Sequence, residues 1–148
     1  MAYRFILNET SYHGHGAVNE IVAEVKSRGF KKALIVTDAD LMKFGVVKKV
    51  TDILDRNDFA YEIFDKVKAN PSVAVVQAGV DAFKKAGADY MIAIGGGSPQ
   101  DTAKGIGIII NNPEFSEWFH WRALLRPRIK ACRLSPLQRR PVLPQKRR

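Results

Sequence analysis

Short apolar runs alternate along the chain with amphipathic stretches, and this alternation predicts most of the elements. Tyr3 to Leu7 reads as a strand followed by a polar turn. Val18, Ile21, Val22 and Val25 recur at i, i+3, i+4 and i+7, one face of a helix, and Gly29 stands where that helix ends. Ala33, Leu34, Ile35 and Val36 form a continuous apolar run, as in a strand buried on both faces, and it ends in Thr37 and Asp38. Val46, Val47, Val50, Ile53 and Leu54 make a second helical stripe, and Tyr61 to Phe64 a second strand of the parallel kind. Asn70 and Pro71 predict the N-cap and first position of a third helix, with Val73, Val76, Val80 and Phe83 as its core stripe and Gly87 as its stop. Tyr90 to Ile94 is the next buried strand, followed by Gly95, Gly96, Gly97 and Ser98, and a helix is expected from Pro99.

Strands of this apolar kind in strict alternation with helices define an α/β protein with a Rossmann-like parallel sheet and flanking helices. In such sheets ligands bind beyond the carboxyl ends of the strands. Asp38, Asn70 and the segment Gly95 to Asp101 fall at those ends, so candidate chemistry is sought there.

The glycine segment is the strongest local signal. Without a Cβ, glycines let a phosphate approach backbone N–H groups, and a helix N-terminus adds unpaired donors and a positive dipole end. Ser98 is placed to cap the helix, with Asp101 three residues on in a capping-box arrangement. A plain tight turn is the alternative, but three successive glycines cost more backbone entropy than a turn needs. The order differs from the usual dinucleotide fingerprint, because the glycines follow a later strand and the best acid, Asp38, precedes them. No Gly-Lys-Ser/Thr follows, so it is not a P-loop. Asp38 has two readings: a carboxylate that accepts both hydroxyls of a ribose, favouring NAD over its 2′-phosphorylated form, or a helix cap. Asn70 has the same double reading. His13 and His15, in a turn with Gly14 and Gly16, are expected to be solvated rather than metal ligands.

Composition changes the picture in one place. A hydrophobic share of 46% excludes a disordered chain, and one Cys excludes a disulfide scaffold or a Cys-rich zinc site. No apolar run approaches a membrane span and Met1 to Leu7 lacks a signal-peptide core, so the expected location is the cytoplasm with no membrane partner. The net charge is +9. Residues 117–148 hold ten of the 24 bases and one of the 15 acids, leaving fourteen of each in residues 1–116. The whole basic excess therefore lies in an irregular tail that also holds both Trp and four of the seven Pro.

Ile6 to Thr10, Lys32 to Asp38, Asn70-Pro71, Gly95 to Asp101, Ala88 to Tyr90 and Asn111 to Phe115, in that order, resemble the N-terminal domain of iron-containing alcohol dehydrogenases over residues 1–116. The resemblance implies an α/β domain that binds NAD(H), and an enzyme that reduces a small aldehyde such as lactaldehyde to 1,2-propanediol. It implies that Asp38 holds the adenosine ribose and that Asn70, Gly97 and Ser98 line the dinucleotide. Gly96 would shape the loop beside the pyrophosphate, and Asp101 would lie towards the nicotinamide. The family's ferrous iron is held by an Asp and three His of a second, helical domain. His13, His15 and His120 match none of these, so no catalytic or metal-ligating residue is assigned and the 148-residue chain is expected to be inactive alone. The family also implies a homodimer through the N-terminal strand, here Tyr3 to Leu7. Glycerol dehydrogenase and dehydroquinate synthase relatives share the domain and stand as alternatives, as does a fragment that only binds NAD.

The resemblance stops between Ser116 and Trp118. Read one base out of frame, Gln138 to Lys146 is compatible with Pro-Thr-Thr-Ala-Gly-Thr-Ala-Ala-Glu, the family's next cofactor-contacting loop. Residues 117–148 are therefore expected to be an out-of-frame translation, and Cys132 within them to have no role. The rival reading is a basic tail that binds RNA, DNA or acidic lipid.

Overall fold

The computed structural model describes residues 10–113. The expected strand at Tyr3 to Leu7 and the whole basic tail lie outside the described residues.

Eight regular elements follow a short 3-10 turn at Ala17–Glu20. They are α1 (Ile21–Arg28), β1 (Lys32–Asp38), α2 (Ala39–Lys43), α3 (Val46–Arg56), β2 (Ala60–Val67), α4 (Val73–Ala86), β3 (Tyr90–Ala93) and α5 (Gly97–Asn111). The strands form one parallel sheet in the order β2-β1-β3. Lys32 to Val36 pair in register with Ala60 to Phe64, and Ala33 to Val36 with Tyr90 to Ala93. Ile94 N–H extends the second ladder by donating to the Val36 carbonyl at 2.9 Å.

The alternation of side chains along β1 divides the core in two. Leu34 and Val36 join Phe64, Val80, Phe83, Met91 and Ile106 on the side of α4 and α5. Ala33 and Ile35 join Val25, Val47, Val50, Leu54, Tyr90 and Ile92 on the side of α1 and α3. Both clusters are needed because β1 is central and buried on both faces, as its unbroken apolar run requires. The edge strand β2 has a mostly exposed outer pattern instead.

Close packing of α4 on α5 depends on Gly79. A methyl there would run into the Ile106 side chain and approach Phe64 Cε1 to 3.4 Å. Gly29 and Gly87 end α1 and α4 in left-handed conformation with φ of 66° and 63°, as the sequence predicts. At the opposite end of the sheet from the strand tips, the Asp89 carboxylate accepts hydrogen bonds from the backbone N–H groups of Lys31 and Lys32, both at 2.9 Å. This ties the entrance of β1 to that of β3.

Three expectations are corrected. Val18 does not belong to the buried stripe of α1; it sits in the 3-10 turn and is exposed. Asn70 is not the cap of α4, which starts at Val73 after Ser72. Asn70 instead takes the left-handed conformation with φ 52°, which Asn tolerates and which turns the chain before Pro71. Ser98 is not the cap of α5 either. The helix starts earlier, at Gly97 after Gly96, so Ser98 lies inside the first turn and its backbone carbonyl accepts from Thr102 Oγ1 at 2.8 Å. The capping box is not formed.

Candidate functional site

The strand order reverses at β1, which has β2 on one side and β3 on the other. Chain connections leave in opposite directions from such a point, and a crevice opens beyond the carboxyl ends of the strands. A cleft of about 860 Å³ lies there. Its lining comes from the end of β1 with α2 (Asp38 to Leu41, and Phe44), the end of β2 (Val67, Lys68, Ala69) and the loop after β3 (Gly95 to Pro99). The size and the mixture of apolar walls with a few polar groups suit a small-molecule site.

The three glycines of the loop are not equivalent. Gly95 has φ 135°, a conformation that L side chains rarely adopt. A Cβ there would lie 2.8 Å from Pro99 Cγ and 2.9 Å from Leu41 Cδ1. Gly95 is thus glycine for the fold, since it lets the loop bend tightly over α2. Gly96 and Gly97 have no heavy atom within 4 Å of a built Cβ. Packing does not demand glycine at either position. They leave open space beside the start of α5, a fifteen-residue helix whose first backbone N–H groups have no partner within the helix. An anion can reach those donors there.

Asp38 ends β1 and caps α2. Its Oδ1 accepts a hydrogen bond from Leu41 N–H at 2.9 Å, and the residue also lines the cleft. The cap reading is thus realised, and its place in the lining leaves the ribose reading open to it. The adjacent Thr37 is fully buried and its hydroxyl has no hydrogen-bond partner.

Of the other expected site residues, the structure brings Gly96, Gly97 and Ser98 to the cleft with Asp38. Asn70 is exposed, and its neighbour Ala69 rather than Asn70 lines the cleft. Asp101 is also outside the lining; its carboxylate pairs with Lys104 Nζ at 3.0 Å on an exposed face. Leu41, Phe44 and Lys68 line the cleft and were not singled out in the sequence. The signal that could have found them is their position within a few residues of a strand's carboxyl end.

The fit of the two cofactors implied by the resemblance differs. The open space at Gly96 and Gly97 beside a long helix start, with a carboxylate across the same cleft, fits the pyrophosphate and ribose of a dinucleotide. Iron has no seat here: among the described residues no three His, Cys, Asp or Glu side chains are grouped to hold a metal ion. His13 and His15 are exposed in their turn. No helix among the described residues is long and apolar enough to cross a membrane.

A parallel sheet with helices on both faces and a switch-point crevice beyond its carboxyl ends defines an α/β domain of the Rossmann-like class. The chain belongs to the iron-containing alcohol dehydrogenase family, whose match spans residues 8–137 and so runs past the expected end of the resemblance near residue 116. It is 58% identical over 117 residues to lactaldehyde reductase of Escherichia coli K12, covering 79% of this chain and 31% of that protein. Alcohol dehydrogenase from Oenococcus oeni superposes with a TM-score of 0.76 at 30% identity, over 90% of this chain and 35% of that one. Sulfoacetaldehyde reductase from Bifidobacterium kashiwanohense, solved in complex with NAD+, superposes with a TM-score of 0.65 at 25% identity, over 74% of this chain and 28% of that one. The chain spans about a third of the length of the curated relatives it matches.

Proposed function

We propose that residues 10–113 are the dinucleotide-binding part of an NAD-linked alcohol dehydrogenase that interconverts a small aldehyde, such as lactaldehyde, with its alcohol, here 1,2-propanediol. The observation that carries this reading is the pairing across one cleft of Asp38 with the uncrowded Gly96 and Gly97. The similarity to lactaldehyde reductase supports the substrate class.

In this reading the chain's own residues bind and orient. The backbone N–H groups of Gly97 and Ser98 donate to the pyrophosphate at the start of α5. The Asp38 carboxylate accepts from the adenosine ribose while Oδ1 stays tied to Leu41 N–H. Its charge repels a 2′-phosphate, so NAD is favoured over NADP. Once bound, NADH supplies the hydride that reduces the carbonyl. A homodimer built along Tyr3 to Leu7 belongs to the same proposal and is read by sedimentation.

Titration of the purified 148-residue chain with NADH, followed by nucleotide fluorescence, tests the reading. Saturable binding of NADH with clearly weaker NADPH binding is expected. A folded chain that binds neither nucleotide overturns it.

We also propose that residues 117–148 are read out of frame. What supports this is the run of compatible codons from Gln138 to Lys146 and the confinement of the basic excess to this segment.

A further inference from the structure

We propose that the Phe44 ring is the platform on which the purine base of the dinucleotide stacks. This rests on the reading of the cleft as a dinucleotide site.

Phe44 is 77% exposed, by far the most exposed large apolar side chain among the described residues. Its backbone is nevertheless held. Phe44 N–H donates to the Asp40 carbonyl at 2.9 Å, and Gly45 N–H donates to the Met42 carbonyl at 3.1 Å. Gly45 then takes φ 69°, which turns the chain into α3 and leaves Phe44 at the corner. Nearby Leu41 and Val47 both pack into the core beneath, while the Phe44 ring stays in water and lines the cleft. A lone exposed ring is ordinary on a protein surface, but this one stands on a fixed corner of a ligand cleft.

In this reading the order along the chain, Asp38 and then Phe44, gives the part of the ligand that covers the ring. The glycine loop takes the pyrophosphate and Asp38 takes the ribose next to it. Phe44 follows Asp38 at the far end of α2. Six residues at the helical rise separate their backbones by about 9 Å, on the order of a nucleoside's own length. The group beyond the ribose is the base. A purine offers a flat π-face, and a phenyl ring is a normal stacking partner for it. The rest of this part of the lining mixes the apolar Leu41, Val67 and Ala69 with the charged Asp40 and Lys68.

Calorimetry on the full chain with AMP, nicotinamide mononucleotide and NADH tests the assignment. Because Phe44 is exposed, Phe44→Ala and Phe44→Leu are expected to keep the fold, checked by circular dichroism. Both should weaken AMP and NADH binding about tenfold, as loss of one base–aromatic stack does. Binding of nicotinamide mononucleotide should not change, and Phe44→Trp should bind AMP as well as the parent chain. Equal AMP affinity in the parent and Phe44→Ala, with NADH still bound by both, overturns the stacking role and leaves the cofactor reading standing. A uniform loss for all three ligands also overturns it. Absence of any nucleotide binding by the folded parent chain overturns both.

Discussion

The Asp38 carboxylate accepts the Leu41 backbone N–H at 2.9 Å, and the same residue lines the cleft. One residue thus starts α2 and borders the cleft, and substitution separates its cap from its proposed ligand role. Asp38→Asn keeps an oxygen for Leu41 and removes the charge. It should leave urea stability within about 0.5 kcal/mol and move the NADPH-to-NADH affinity ratio towards NADPH by about tenfold. Asp38→Ala loses the cap as well, and should also lower stability by about 1 kcal/mol.

Gly95 and Gly97 should respond in opposite ways to the same methyl group. Gly95→Ala forces a left-handed alanine against Pro99 and Leu41, and should cost about 1–3 kcal/mol of stability in thermal unfolding. Gly97→Ala meets nothing in the unliganded protein and improves helix propensity at the start of α5. It should leave the unfolding temperature unchanged or slightly raised, while NADH affinity falls at least tenfold, about 1.4 kcal/mol. Equal affinity before and after Gly97→Ala would remove the phosphate role of this loop.

How much of this was legible in the sequence depended on the length of the signal. Ala33 to Val36 and Tyr90 to Ile94 announce buried strands because a strand covered on both faces has no polar side to show. Val76, Val80 and Phe83 announce α4 because a helix on a sheet keeps one apolar stripe. The five-residue α2 is invisible by the same logic, being too short to show a period. The helix starts were misplaced where capping residues offered two solutions. Asn70 resolves its choice by entering the left-handed region, and Gly96 begins α5 before Ser98 can cap it. Asp38 and the glycine loop were legible as candidate site residues because strand-end position marks them. Phe44 and Lys68 share that positional mark but carry no motif, so they stand out only once folding brings α2 and the end of β2 to the same cleft.

Tyr90 makes a prediction about alkaline stability. Its ring is fully buried, stacked on Phe30 with centroids 5.0 Å apart, and its hydroxyl has no hydrogen-bond partner. Burial, with a smaller contribution from nearby Asp89, pushes its pKa from 10.0 up to about 12. Below pH 10 both folded and unfolded chains keep the proton. Between pH 10 and 12 the unfolded chain ionises first, so stability falls as pH rises, by about 2–3 kcal/mol across the window. Tyr90→Phe removes both the titration and an unpaired buried hydroxyl. It should be at least as stable as the parent at pH 8 in urea, and more stable than the parent by the larger margin at pH 11.

The tail predicts a nucleotide sequence. Inserting one base near codon 117 of the coding DNA should yield Pro-Thr-Thr-Ala-Gly-Thr in place of Gln138 to Leu143. A coding sequence that yields another peptide ends the frame account, and salt-dependent retention on nucleic acid that is lost on cleavage after Ser116 would then mark a basic binding arm.

Amide hydrogen exchange of the full chain with and without saturating NADH tests the central claim most directly, because it reports both binding and place. New protection should concentrate in Gly96 to Ser98 at the start of α5 and in Asp38 to Phe44 along α2, with the far-end tie of Asp89 to Lys31 and Lys32 unchanged. Protection confined to other segments, or none at nucleotide concentrations that saturate the relatives, would contradict the assignment of this cleft as the dinucleotide site.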